Sequence, residues 1–223
     1  MSITGILIGL LVFLLGCLIL ANYVYERHRA AQVHEVGEQL GMTYHADGDL
    51  ALAERIAGFQ LFAEHAPSRI WNLLYGDKAG MEYAIFDEHG PKRKRRQPGR
   101  DVQTLLYVQI PEPIQSGFLM RPRVWDQRGR PIPGYAEVTF DAYPTFSEKY
   151  ALYGQEVEEV RRLFRHEALT HLGPLDHICA EGRGTGFLYF RAGERVAAAQ
   201  LHAFLEEGFQ ALELFRPQSP VRQ

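Results

Sequence analysis

Cysteine is almost missing from this chain of 223 residues, which has only Cys17 and Cys179. Cys17 lies in an apolar run near the N-terminus, so the roughly 200 residues beyond that run hold a single thiol and no internal disulfide. Such usage fits a reducing compartment and excludes a disulfide scaffold. An excess of one charge is missing too. With 24 Lys and Arg against 27 Asp and Glu, the formal charge is −3. That near balance argues against a globally basic nucleic-acid binder, and no nucleic acid is expected as a partner. The third absence says the most: from Ile3 to Tyr23 there is no charged side chain, and only Thr4 and Asn22 are clearly polar.

At ~1.5 Å per residue this run makes a helix about 31 Å long, matching a hydrocarbon core of ~30 Å. A secretory signal would carry a basic start and a shorter apolar run of ~7–15 residues. Residues 1–4 contain no Lys or Arg, so a retained anchor is expected. Leu14-Leu15-Gly16-Cys17 looks like a lipoprotein box, but Leu18 to Ala21 continue apolar, so Cys17 is read as part of a membrane helix. Arg27 and Arg29 follow the run and nothing basic precedes it, which places the remaining chain on the cytoplasmic side of a bacterial inner membrane. Tyr23 and Tyr25 stand where an interfacial aromatic belt would. Gly5, Gly9 and Gly16 fall on one side of the helix, and the Gly5-x-x-x-Gly9 spacing allows two such helices to approach closely, a candidate homodimer face.

Five segments are expected: a short tail at 1–2, the span at 3–23, a helical stem at 24–41, an α+β domain at 42–215 and a flexible tail at 216–223. The stem contains no proline and stops at Gly41. Asp47-Gly48-Asp49 reads as a turn capping a short helix over 50–57, since it lacks the further oxygen ligands of a calcium loop. Strands are predicted at 59–64, 69–75, 81–87, 104–110, 117–120, 137–141 and 149–153, with a hairpin turn at Gly76 to Gly80. Leu106, Val108 and Ile110 alternate as on a covered antiparallel sheet, while prolines from Pro111 to Pro144 confine strands to edges or short lengths. A helix is predicted over 155–171, a second hairpin over 176–191 around Gly182-Arg183-Gly184-Thr185-Gly186, and an amphipathic helix over 194–215. Strands followed by two amphipathic helices toward the C-terminus mean α+β, mainly antiparallel.

No stretch carries a convincing catalytic, cofactor or metal signature. His166 and His171 are five apart rather than four, which turns their rings about 140° from one another on a helix and spoils a zinc pair. The glycine loop at 182–186 precedes a strand, whereas a phosphate cradle opens a helix. Cys179 sits in an apolar strand pattern, and Trp71 and Trp125 read as core. Lys92, Arg93, Lys94, Arg95, Arg96 and Arg100 concentrate positive charge between two strands, and their candidate partner is the anionic headgroup surface of the membrane.

Phe86-Asp87, Gln103-Thr104, Leu119 to Pro122, Phe146-Ser147-x-x-Tyr150-x-Leu152-x-Gly154 and Arg161-x-Leu163-Phe164 together resemble an uncharacterised bacterial family of single-pass membrane proteins. The resemblance implies a membrane-tethered α+β domain over most of residues 36–215 and supplies no catalytic residue. The expectation is a non-enzymatic tethered binding or scaffolding module without a cofactor, with a membrane-anchored enzyme as the alternative.

Overall fold

The helix does not end with the charge-free stretch. It continues as α1 (Ile3–Gln39), of 37 residues, about 55 Å long. In this computed structural model, which describes residues 3–63, 70–89, 102–126 and 131–216, the first part of α1 stands clear of the domain and the last part lies on it. The helix is long and apolar enough to cross a membrane. Arg29, Val33 and Gly37 are buried, with Glu26 and Val36 partly so, a stripe at three- and four-residue spacing. Gly37 permits the contact, since a Cβ there would lie 2.4 Å from Leu74 Cδ2. Gly41 then adopts φ +69° and ends the helix as expected.

After β1 (Thr43–Asp47) come α2 (Leu50–Ile56) and α3 (Gln60–Ala63), followed by β2 (Ile70–Lys78) and β3 (Met81–His89). Asp49 caps α2 by accepting the Ala51 N–H at 2.8 Å. The strand expected at 59–64 is instead α3. Phe59 and Phe62, three apart, both enter the core, and the Glu181 carboxylate accepts the N–H groups of Gln60 and Leu61. That acceptor is 120 residues away in sequence, out of reach of a local pattern.

The strands expected at 104–110 and 117–120 are one, β4 (Val102–Pro122), 21 residues long. Beyond it lie β5 (Ala136–Val138), α4 (Pro144–Lys149), β6 (Tyr150–Gly154), α5 (Val157–Leu163) and α6 (His166–Leu172). The single helix predicted over 155–171 is thus two, broken where Phe164 and Arg165 leave the helical range with ψ of 69° and 175°. Nor is there a second hairpin: β7 (Ile178–Arg191) runs unbroken against β4. Two of its glycines serve close packing, while Gly184 takes φ +54° where the register shifts. A Cβ on Gly182 would meet Ile114 and Phe118 at 2.5 Å, and one on Gly186 would meet Phe59 at 2.8 Å. The last helix, α7 (Leu201–Glu213), starts later than predicted, after a short 3-10 turn at Ala198–Gln200.

The seven strands of the described residues join one antiparallel sheet, and the α+β class holds. The long pair β4–β7 is its spine. On the other edge of β4, the meander β3-β2-β1 pairs with residues 102–108 and the pair β6-β5 with residues 118–122. The spine kinks between Gln109 and Phe118, where the register shifts twice. It folds back far enough for Ala192 N–H, just past the end of β7, to donate to His177 O, just before its start, at 2.7 Å. Leu106, Val108 and Ile110 face a core shared with α1, α5, α6 and α7, while Leu105 and Tyr107 face a second core under α2 and α3. Both sheet faces are covered.

Because Gly182 and Gly186 set how closely the spine packs, Gly182→Val should lower stability by about 1–3 kcal/mol through overpacking. Gly9→Val, at a position with nothing within 4 Å, should leave the domain's melting temperature unchanged. Thermal unfolding of the full chain in detergent compares the two.

Candidate functional site: the anchor junction and a cleft beyond it

Two polar groupings among the described residues bear on function. The first is where α1 meets the sheet. Asp87, near the end of β3, is 1% exposed, and Arg29 of α1 is 6% exposed. Arg29 grips the carboxylate with both prongs, Nε to Oδ2 at 2.8 Å and Nη2 to Oδ1 at 2.9 Å. Thr104, the cross-strand partner of Asp87 on β4, donates to Oδ1 at 2.7 Å, and Asn72 of β2 donates to Oδ2 at 3.0 Å. From the segment before α7, Arg195 reaches Oδ2 with Nε at 3.0 Å. Its other two nitrogens hold Glu26 of α1 at 2.6 and 2.7 Å, and its guanidinium lies over the rings of Tyr25 and Trp71.

The four charges form a neutral set of two arginines and two carboxylates. Burial pushes the Asp87 carboxyl up, yet the hydrogen bonds and charges of Arg29, Arg195 and Asn72 outweigh it and hold it below the usual range. Asn72 takes φ +51° at a register shift in β2, a backbone distortion next to the group it helps to hold. Arg29 lies six residues past Tyr23, about 9 Å along the helix from the end of the apolar run.

Beside this junction Glu88, fully buried on the opposite sheet face, accepts from Gln103 at 2.8 Å. Burial raises its carboxyl to about 7. Glu181, also fully buried, is pushed by burial to about 7 against the opposing pull of the Gln60 and Leu61 N–H groups.

The second place is a cleft of about 240 Å³ at the kink of β4. Ile110, Ile114, Leu163, Leu212 and Phe215 supply its apolar lining. Among the described residues, 109–116 of β4 have no strand partner on the edge that β3 and β6 occupy elsewhere, and the cleft opens there. Pro111 and Pro113 fall in this gap, where a missing N–H breaks no ladder. Arg162, Arg165 and Arg216 stand on the α5 and α7 side, with Glu112 on the β4 lip. Arg162 is paired with Glu159 at 2.6 Å and Arg216 with Glu213 at 2.8 Å. Arg165 makes no ion pair among the described residues. The cleft lies roughly 20 Å along β4 from the anchor junction.

Of the residues singled out by sequence, Lys92, Arg93, Lys94, Arg95, Arg96 and Arg100 lie outside the described residues. The flanking strand ends, His89 and Val102, pair with each other beside Glu88 and Gln103 at the junction end of the sheet. Gly5, Gly9 and Gly16 all sit on α1 ahead of the domain, and nothing lies within 4 Å of a Cβ at Gly9 or Gly16. His166 and His171 are exposed on α6, and His166 Nδ1 meets Tyr143 OH at 2.9 Å. No metal-holding cluster of His, Cys, Asp or Glu occurs among the described residues.

Glu26, Arg29, Arg195 and the cleft were missed by sequence reasoning. Arg29 served only as a positive charge for orientation, whereas the fold commits it to Asp87. A signal existed: Asp87 and Thr104 lie in two of the pieces that carried the family resemblance, and they meet here.

No family model matches the chain, and no curated protein does either. Among solved structures, the crystal structure of the mycobacterial trehalose monomycolate transport factor A superposes with a TM-score of 0.67 at 14% identity. The match covers 88% of this chain and 99% of that one. At such identity the likeness shows a shared fold.

Asp87→Ala leaves the buried Arg29 without its carboxylate and Arg195 with Glu26 alone, and should cost about 3–5 kcal/mol, whereas Arg55→Ala, breaking a half-exposed pair with Glu82, should stay within about 1 kcal/mol of wild type. Chemical denaturation measures both. The raised carboxyl of Glu181 acts with the opposite sign to Asp87. Between the unfolded value of 4.5 and the folded value of about 7 the folded state holds the extra proton, so this group's contribution to stability falls as pH rises through that window. Glu181→Gln should flatten the decline and raise the melting temperature at pH 8.

Proposed function

We propose that this chain is a non-enzymatic binding module, held at the cytoplasmic face of a bacterial inner membrane by α1, with its binding surface at the cleft. One observation carries the reading: the helix able to span the membrane is the same helix that buries Arg29 and Val33 in the domain. A flexible tether would let the domain reorient, but a continuous helix locked by a buried ion set holds the cleft at a fixed height and direction. The matching transport factor is named for trehalose monomycolate transport. By analogy, this module serves movement or assembly of an envelope component by holding a partner or ligand near the bilayer.

The basic residues from Lys92 to Arg100 fit the same picture. Their flanking strand ends lie at the junction end of the sheet, and each basic residue near an anionic surface contributes about 1 kcal/mol. Gly5, Gly9 and Gly16 are proposed as the face through which two copies associate in the bilayer. The enzyme alternative gains no specific support. Ser116, the one hydroxyl lining the cleft among the described residues, accepts the Glu156 N–H at 3.0 Å.

Two measurements test the reading. Protease added to intact spheroplasts should spare residues 42–215, and digestion there would overturn the orientation. In-cell crosslinking followed by isolation of the full chain should recover at least one component that drops fivefold or more when Leu163→Asp is introduced, with membrane localisation unchanged. Identical recovery from both chains would remove the cleft as the binding surface.

A further inference from the structure

This inference rests on the proposed binding role of the cleft and names what it takes. We propose that the cleft between the β4 kink, α5 and α7 binds a single short alkyl or acyl chain ending in a carboxylate.

Size sets the first limit. Sites for drug-sized ligands occupy ~300–1,000 Å³, and this one holds about 240 Å³. A two-chain lipid does not fit, and one short chain does. Lining chemistry sets the second. Ile110, Leu212 and Phe215 are buried side chains of the main core that also form the cleft wall, and Ile114 and Leu163 are half-buried beside them. This wall belongs to packed elements, so it is present before any ligand arrives, which lowers the cost of binding.

Charge sets the third. Of the three rim arginines, two already have carboxylate partners within their own or the adjoining turn, Glu159 and Glu213. Arg165 projects from the junction of α5 and α6 without an ion-pair partner among the described residues, and it is the cation an incoming anion would neutralise. Glu112, on the opposite lip, repels an anion from the β4 side. The ligand is therefore oriented, with its chain along Ile114 and Leu163 and its carboxylate turned toward Arg165. An amine of the same length meets the reverse field and is disfavoured.

The test uses the full chain in nanodiscs of zwitterionic lipid, labelled with a photoreactive decanoic acid or with decylamine bearing the same group. Mass spectrometry then maps the adducts. The acid should label residues 110–116, 163 or 212–215 at least fivefold more than the amine, and unlabelled decanoate should compete. Two-chain phosphatidic acid in the nanodisc should not. Arg165→Glu should reduce cleft labelling fivefold or more, while Glu112→Gln should raise it. The melting temperature of each variant should match wild type, which separates lost binding from lost fold. Adducts confined to residues 3–23, equal labelling by acid and amine, or displacement by phosphatidic acid would each overturn the proposal. So would a chain ending at Arg216 that labels ten times more strongly, because residues 217–223 would then be the native occupant. A cleft that fails this test while Leu163→Asp still loses its crosslinked component in cells would keep the binding module and discard the carboxylate ligand.

Discussion

A single carboxylate organises the molecule. Asp87 receives hydrogen bonds from α1, from β2, from β4 and from the segment leading into α7, donors that lie up to 108 positions from it in sequence. Burying Arg29 and Asp87 with their two partly buried partners is costly, and a well-packed apolar set of the same volume would often be as stable or more so. What charges add is position. An apolar helix face can slide or rotate against a sheet at small cost, but a bidentate guanidinium matched to one carboxylate fixes both register and rotation. At this point the fold needs geometry more than energy. The helix that Arg29 fixes is the one long and apolar enough to cross a bilayer, so in the proposed arrangement its rotation sets which way the whole domain faces.

The rest of the architecture extends that fixed point. The β4–β7 spine begins at the junction, where Thr104 both donates to Asp87 and accepts the Val196 N–H. It runs away from the apolar run, kinks at the two prolines and returns, so that the cleft forms at the turn farthest from the anchor. One face of the spine is filled by α1, α5, α6 and α7 and the other by α2 and α3. A rigid route thus connects span to cleft, through packed strands and without a linker. The shared fold with the transport factor at 14% identity shows that widely different sequences can build this frame.

Much of it was legible. The absence of charge from Ile3 to Tyr23 marked the apolar part of α1, Gly76 to Gly80 marked the region of the β2–β3 turn, which narrows to Ala79 and Gly80, Asp49 marked the start of α2, and the apolar stripe of Leu201, Phe204, Leu205 and Leu212 marked α7. Failures came where distant partners overrode local pattern. The glycines of β7 looked like a turn because nothing in sequence says that Ile114, Phe118 and Phe59 will press against them. Phe59 to Ala63 looked extended until the Glu181 carboxylate arrived to hold the first N–H groups of a helix. The junction was hidden most thoroughly. The buried stripe on α1 reads Glu26, Arg29, Val33, Val36, Gly37, and its charged members suggest solvent. Only the fold reveals that they face Asp87 and Arg195.

Whether the anchor helix is locked to the domain can be measured directly by native-state hydrogen exchange on the full chain in nanodiscs, following amides 26–37. If the buried ion set holds α1 on the sheet, these amides exchange with the same slow opening as Tyr83 to Phe86 and Leu105 to Val108. Fast exchange through 26–37 while those strands remain protected would contradict the account, because the helix would then be a free stem and the direction of the cleft would not be set by the membrane.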